Sequence, residues 1–183
     1  AIIDMKWVKA YDPSAVLYVW QGGQEGGNGV LDLLTGKVNP SGKMADTISV
    51  DITDNPSTAN FGDPDNNVYA EDIYVGYRYF NTFAKDKIIY PFGYGLSYTT
   101  FDTEVLSIVE DNNIFNLKIK AKNTGSYPGK EVVQVYLSKP LNNPSVELVY
   151  FNKTKLLEPD EEEKINPVNI VYMNNTVDKD VLD

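Results

Sequence analysis

Apolar residues change their spacing along this chain, and each change predicts an element. Ala15-Val16-Leu17-Tyr18-Val19-Trp20 is a short continuous apolar run, the signature of a strand covered on both faces. From about Glu25 to Thr35 the spacing becomes helical: Val30, Leu33 and Leu34 recur three and four residues apart, and Gly36 follows as a C-cap. Asn39-Pro40-Ser41-Gly42 reads as a turn. Thr47 to Ile52 alternates as a second strand does. Residues 53–72 are polar and turn-rich, which predicts a long surface loop.

From Phe101 onward the pattern is all-β. Phe115, Leu117, Ile119 and Ala121 alternate with Asn116, Lys118, Lys120 and Lys122, a half-buried strand closed by Asn123-Thr124-Gly125. Glu131–Leu137, Glu147–Phe151, Lys153–Leu157 and Ile165–Tyr172 are four more candidates. Short strands with turns about every ten residues suggest a sandwich of immunoglobulin or fibronectin type, but five strands fall short of the usual seven or so. The tail NNTVDKDVLD is too short and polar to supply two more. The fold class expected is a strand-helix-strand α/β fragment followed by a β-sandwich, mainly β overall.

Between the two halves lies an aromatic belt. Half of the chain's 13 tyrosines and 7 phenylalanines fall between Tyr74 and Phe101. Rings at such a density at a junction point to packing, with a sugar-stacking platform as the rival reading.

Composition narrows the chemistry. The chain of 183 residues has no Cys and no His. Ser-His and Cys-His nucleophiles, histidine metal sites and zinc-thiolate sites are therefore excluded within it. Acid-base work would fall to Asp, Glu, Tyr or Lys. A net charge of −10 argues against nucleic acid or an anionic membrane as partner, since both are polyanions. No apolar run approaches the ~20 residues of a membrane span. No signal-peptide pattern is visible, which leaves the cytoplasm slightly favoured.

The motifs fail most tests for a self-contained site. In WQGGQEGGNG (20–29), no three of Gly22, Gly23, Gly26, Gly27 and Gly29 have G-x-G-x-x-G spacing. Gly22 and Gly27 have P-loop spacing, but Asn28 and Gly29 follow where Lys and Ser/Thr are needed, and Glu25 would repel a phosphate. The glycines are expected to shape a tight corner and let the helix start pack closely. Asp63-Pro64-Asp65-Asn66-Asn67 begins like a calcium loop, yet Val68 and Tyr74 stand at its Gly and Glu positions. Glu161-Glu162-Glu163 reads as a solvated strand entry. Asn152-Lys153-Thr154 and Asn174-Asn175-Thr176 fit the glycosylation sequon. Glu71, Asp72 and Arg78, among Tyr69, Tyr74, Tyr77 and Tyr79, read either as a sugar site or as an ion pair pinning the junction, the second being favoured. No catalytic, cofactor-binding or metal-ligating residue is assigned.

Six stretches in order resemble the glycoside hydrolase family 3 enzymes, the β-glucosidase and β-xylosidase group. They are GGQEGG (22–27), LLTGKVNPSGKMADT (33–47), YVGYRYF (74–80), YPFGYGLSYTTF (90–101), NTGSYPGKEVVQVYL (123–137) and ELVYFNKTKLLEP (147–159). The resemblance implies that residues 1–60 end an α/β sandwich domain, 61–100 form an inter-domain linker and 101–183 form an incomplete fibronectin III-like domain. It implies a parent that is a retaining exo-acting β-glycosidase on terminal β-linked glucose or related sugars. The family's nucleophile is an Asp on a separate (β/α)8 barrel, and its acid/base is typically a Glu before the GQEGG region. Neither position lies in this chain, so the fragment alone is expected to be inactive, and Glu25 is not catalytic. Met44-Ala45 departs from the family's common Leu-Pro. The alternative is a non-catalytic carbohydrate-binding or scaffolding module. Open edges of an incomplete sandwich predict association, with a second copy or with the remaining domains.

Overall fold

The computed structural model describes residues 2–66, 68–112, 114–138 and 144–171. The chain is mostly β with few helices. Three short helices, α1 (Lys6–Tyr11), α2 (Gly26–Leu34) and α3 (Tyr77–Phe83), all precede residue 101. Two short strands, β1 (Ile48–Ser49) and β2 (Ile88–Tyr90), pair antiparallel. Five longer strands follow: β3 (Phe101–Asp111), β4 (Ile114–Asn123), β5 (Val132–Ser138), β6 (Val146–Lys153) and β7 (Glu162–Val171).

These five form two antiparallel sheets, β3-β4-β7 and β5-β6. Alternation along β4 turns Leu117, Ile119 and Ala121 inward, where they meet Val133 of β5 and Ile165 and Val168 of β7 in one buried cluster. Phe115, Val135, Tyr150 and Ile170 pack against its margin. Two facing sheets around one apolar layer is the two-layer solution by which strands bury a single face each.

The helical expectation holds closely at α2. Thr35 is its C-cap, and Gly36 takes φ +73, the left-handed conformation that glycine adopts without a Cβ penalty. Gly36 N–H donates to Leu33 O and Val38 N–H to Asp32 O, both at 3.0 Å, which occupies carbonyls left over at the helix end.

Two expectations are corrected, and one strand is added that the sequence pattern did not pick out. Residues 15–20 belong to no sheet among the described residues, and Val16, Leu17, Val19 and Trp20 are 38–47% exposed. A doubly covered strand needs sheet neighbours, and this chain presents none among its described residues. Lys153–Leu157 is not a separate strand. β6 ends at Lys153, and Leu157 makes one isolated bridge to Gly129. Residues 101–111, whose apolar positions do not alternate cleanly, form β3, and a bulge between Val105 and Ser107 resets their register.

The predicted loop 53–72 starts as ordered 3-10 turns at Ile52–Asp54 and Pro56–Ala59. Asp51 Oδ1 accepts from Thr53 N–H at 2.9 Å and Asp54 Oδ2 from Asp51 N–H at 3.0 Å, a reciprocal capping box. Asn55, buried, donates to Ser49 Oγ and Ile52 O. Lys6 of α1 pairs with Asp51, and that hydrogen bond holds the carboxyl well below the usual range. From Phe61 to Asp65 the loop is exposed as expected.

Candidate functional site

The polar residues among the aromatics converge on a junction, not on a catalytic pair. Helix α3 lies against β6. Arg78 Nη2 reaches Glu147 Oε1 at 2.7 Å; Glu71 and Asp72 are not its partners. Glu71 and Asp72 instead build the turn before α3: Tyr74 N–H donates to Glu71 O at 2.9 Å, and Asp72 takes φ +50. The favoured pinning role is therefore filled by Arg78, through a residue on a distant strand that no local pattern exposed.

The rings confirm packing at this place. Tyr77 stacks on Phe92 with centroids 4.5 Å apart and meets the edge of Tyr136 at 6.4 Å. Its hydroxyl accepts from Leu148 N–H at 2.9 Å. That N–H lies where the β5-β6 register slips: Val135 faces Tyr150, and Tyr136 faces Leu148. The bulge turns a ladder group outward, and Tyr77 takes it up. Thr82 and Ser145 close the same contact, with Ser145 N–H donating to Thr82 Oγ1 at 2.9 Å and Ser145 Oγ to Asn81 O at 3.0 Å. Burial also pushes the Tyr136 phenol up.

A second cluster is built on residues 39–43, the predicted turn, which run without regular structure. Asn39 Oδ1 accepts from Ser97 Oγ and Tyr98 N–H, both at 2.8 Å, while its Nδ2 donates to Pro128 O at 3.0 Å. One side chain thus joins the turn, the 92–100 segment and the sandwich. Lys43 does the same with charge. Its ammonium donates to Gly95 O at 2.8 Å and pairs with Glu131 at 3.0 Å, both side chains being less than a fifth exposed. Gln134 and Tyr136 of β5 complete the lattice, with Gln134 Nε2 donating to Gly93 O at 3.1 Å and Tyr136 OH to Gln134 Oε1 at 2.6 Å.

Half-buried ion pairs are worth less than their distances suggest, because desolvation opposes the Coulomb gain. Lys43→Met is expected to cost about 1.5 kcal/mol in urea unfolding, most of it from leaving Gly95 O without this donor and the Glu131 carboxylate, which keeps Val132 N–H at 2.9 Å, without its counter-charge. The double variant K43M/E131M should recover part of that loss; simple addition of the two single losses would refute the coupling.

The remaining sequence candidates carry no site chemistry. Glu25 is the N-cap of α2 without a side-chain cap, and its carboxylate accepts from Asn28 Nδ2. An anion there would meet that carboxylate first. Of the five loop glycines only Gly22 has a close neighbour, and that is Gly26 of the same loop, whose Cα would stand 3.0 Å from a Cβ at Gly22; Gly23, Gly26, Gly27 and Gly29 face open space. The close packing expected at the helix start is thus not made by this chain's described residues. Asp63 Oδ1 accepts from Asp65 N–H at 2.9 Å and Asn66 N–H at 3.0 Å, an Asx turn that lowers its pKa. Asn67 lies outside the described residues.

Glu161-Glu162-Glu163 is more than solvated. Lys155 Nζ donates to Glu161 at 2.6 Å, Glu158 N–H to Glu161 at 2.9 Å and Lys155 N–H to Glu163 at 2.8 Å. The Glu161 carboxyl is held below its ordinary value chiefly by Lys155. At the first sequon Asn152 is exposed on β6, but Thr154 is 3% exposed and accepts from Glu131 N–H at 2.9 Å. The second sequon lies outside the described residues. Among the described residues no cluster of acidic side chains is arranged to hold a metal ion.

The sequence pattern described as "Glycosyl hydrolase family 3 C-terminal domain" matches residues 1–98. A β-glucosidase of Ruminococcus albus is 52% identical over 167 residues, 90% of this chain and 18% of that protein. β-Glucosidase A of Butyrivibrio fibrisolvens is 43% identical, covering 99% of this chain and 24% of its own length. In three dimensions, a β-glucosidase from Paenibacillus barengoltzii superposes with TM-score 0.86 at 47% identity, covering 92% of this chain and 19% of that one. β-Glucosidase 3B from Thermotoga neapolitana, solved with glucose, gives TM-score 0.83 at 43% identity over 93% of this chain and 24% of its own. The chain spans about a fifth of the length of the curated relatives it matches.

Proposed function

This chain belongs to glycosyl hydrolase family 3, and we propose that it is part of a retaining exo-acting β-glycosidase for terminal β-linked glucose or a related sugar. The observation that carries this reading is 52% identity to a β-glucosidase across 90% of the chain. Within that parent, residues 1–60 are the end of an α/β sandwich domain, 61–100 the linker and 101–183 a fibronectin III-like domain. The facing sheets β3-β4-β7 and β5-β6 support the last assignment. The polar lattice at Asn39, Lys43 and Arg78 supports a linker that fastens one domain to the next.

The chemistry is double displacement through a glycosyl-enzyme, with two carboxyl groups about 5 Å apart. Those carboxylates are supplied outside this chain. Within this chain Asp51, Asp63 and Glu161 serve structure: their carboxylates accept from Thr53 N–H, Asp65 N–H and Lys155 Nζ. What these residues contribute is placement: a fixed edge and a clamped linker against which the catalytic domains are held.

The intact gene product should hydrolyse aryl β-glucosides or β-xylosides, while the 183-residue chain alone gives no turnover. Failure of the intact protein on a broad aryl-glycoside panel would sink the proposal. The carbohydrate-binding alternative has Tyr18 and Trp20 in its favour, since their rings touch at 4.6 Å and Trp20 is exposed. Their planes meet at 45°, however, and present no shared flat face for a sugar. Oligosaccharide titration of Trp7 and Trp20 fluorescence is therefore expected to be flat, and a saturable change would favour the binding module instead.

A further inference from the structure

Asn28-Gly29 is the only asparagine-glycine pair in the chain, and it lies in the part of α2 with least to hold it. Such a pair closes readily on itself, because a second residue without a Cβ leaves its nitrogen free to approach the asparagine side-chain carbonyl. Asn28 is exposed to water. What restrains it is the helix. Gly29 N–H donates to Glu25 O at 3.0 Å, and Asn28 Nδ2 donates to the Glu25 carboxylate. While both bonds stand, the nitrogen that would attack is occupied and the amide that would leave is held.

Both restraints belong to the weak end of the helix. Gly26, Gly27 and Gly29 place the poorest helix former after proline at three of the first four positions of a nine-residue helix. Glu25 supplies no side-chain cap, and no residue of α2 is buried. Helices shorter than about 12–15 residues are marginal without packing. The other end is tied down. Tyr98 OH donates to Leu33 O, and Val38 N–H to Asp32 O, both at 3.0 Å. α2 therefore opens from the Gly26 end, and one opening frees the Gly29 nitrogen and the Asn28 amide together.

We propose that Asn28 is a site of spontaneous covalent modification: deamidation through a succinimide, gated by opening of the first turn of α2. The deprotonated Gly29 nitrogen bonds to Asn28 Cγ, the Cγ–Nδ2 bond breaks, and ammonia leaves with the proton. Water then opens the ring at one carbonyl or the other, giving aspartate or isoaspartate at position 28. The net change consumes water and releases ammonia, and nothing is oxidised or reduced. Either product works against re-closing the turn. A carboxylate replaces the amide that donated to Glu25, so like charges face each other three residues apart. Isoaspartate also routes the main chain through an extra methylene, which breaks the helical register. In the parent enzyme, on the reading that this chain is part of one, a covered corner holds α2 shut and the modification marks chains whose corner has come free.

Peptide mapping by mass spectrometry, after incubation at mildly alkaline pH, tests this on the whole chain and on a free peptide of residues 22–34. Asn28 in the chain should convert within about a hundredfold of the peptide rate, as a local opening well below the cost of global unfolding requires. Both aspartate and isoaspartate should appear. G29A should all but abolish the reaction. G27A leaves the reacting pair intact and should slow it about two- to fivefold, the factor by which alanine favours a helix over glycine. Stronger protection than a local opening allows would overturn the proposal. So would aspartate alone, the mark of direct hydrolysis, or equal rates in G27A and wild type, which would show that the helix is not the gate. In the intact parent conversion should be about tenfold slower than in the chain, or slower still. Glycosidase activity is read separately: an active parent that converts as fast as the chain refutes the covered corner and spares the enzyme, and an inactive parent with a protected Asn28 does the reverse.

Discussion

Asn123→Ala is expected to lower the stability of this chain by about 3 kcal/mol, a fall in Tm of roughly 6–12 °C for a protein of this size. Asn123 is 0% exposed at the end of β4, and its amide is fully engaged. Oδ1 accepts from Thr99 Oγ1 at 2.8 Å and Gly125 N–H at 3.1 Å. Nδ2 donates to Tyr127 O at 2.8 Å and Leu157 O at 2.9 Å. Its main chain adds two more bonds, to Glu161 O and from Asp160 N–H. Alanine takes this partner from Tyr127 O and Thr99 Oγ1, while Leu157 O keeps Gly129 N–H and Gly125 N–H keeps Thr100 O, and unmet buried groups cost more than a net hydrogen bond gains. A loss below about 1 kcal/mol in urea unfolding would show that water replaces the amide there, and would refute its role as keystone.

N123D sharpens the test, because it keeps the shape and changes the donors. A buried carboxylate facing Tyr127 O and Leu157 O is disfavoured in its charged form, so its folded pKa lies above the unfolded value. Stability contributed by the protonated form is present at low pH and lost as pH rises through the folded pKa. The N123D deficit relative to wild type should therefore grow from mildly acidic to neutral pH, while the N123A deficit stays level. A pH-independent N123D deficit would mean that the site is wetter than its burial indicates.

Much of this architecture is readable from the sequence, and what is not has physical reasons. Alternation in Phe115–Lys122 exposes β4 because one face is core and the other solvent. Gly36 marks the end of α2 because only the left-handed conformation closes that helix cheaply. Residues 15–20 mislead because an apolar run reports burial, and no sheet among the described residues includes them. β3 is missed for the related reason that its inner face is bare and its register is broken by a bulge. The junction is the least legible part. Arg78 and Glu147 are 69 positions apart, and Asn39 and Pro128 are 89 apart, so no local period brings them together. Motif content showed that these segments matter, but only the fold shows that they matter to one another.

Gly95→Ala should rank beside Asn123→Ala, at about 3 kcal/mol, for a steric reason. A Cβ at Gly95 would stand 2.3 Å from Gly42 O and 3.3 Å from Lys43 Cα. Both are main chain, so no rotamer change relieves the clash, and residues 39–43 must move away from the Gly95 segment. That shift would also pull Gly95 O from the Lys43 ammonium, 2.8 Å away. Gly27→Ala is the informative opposite. Gly27 lies inside α2, and a Cβ there meets nothing within 4 Å. Alanine in a helix gains about 0.5–1 kcal/mol over glycine by restricting the unfolded chain, so G27A should stabilise the isolated chain. In the intact parent, where we propose that this corner packs against segments outside the chain, the same change should destabilise. The sign reversal is the measurement of interest, read as the Tm shift of G27A in the two proteins. If G27A stabilises both alike, the glycines of residues 22–29 serve the turn alone, and close packing at that corner is refuted.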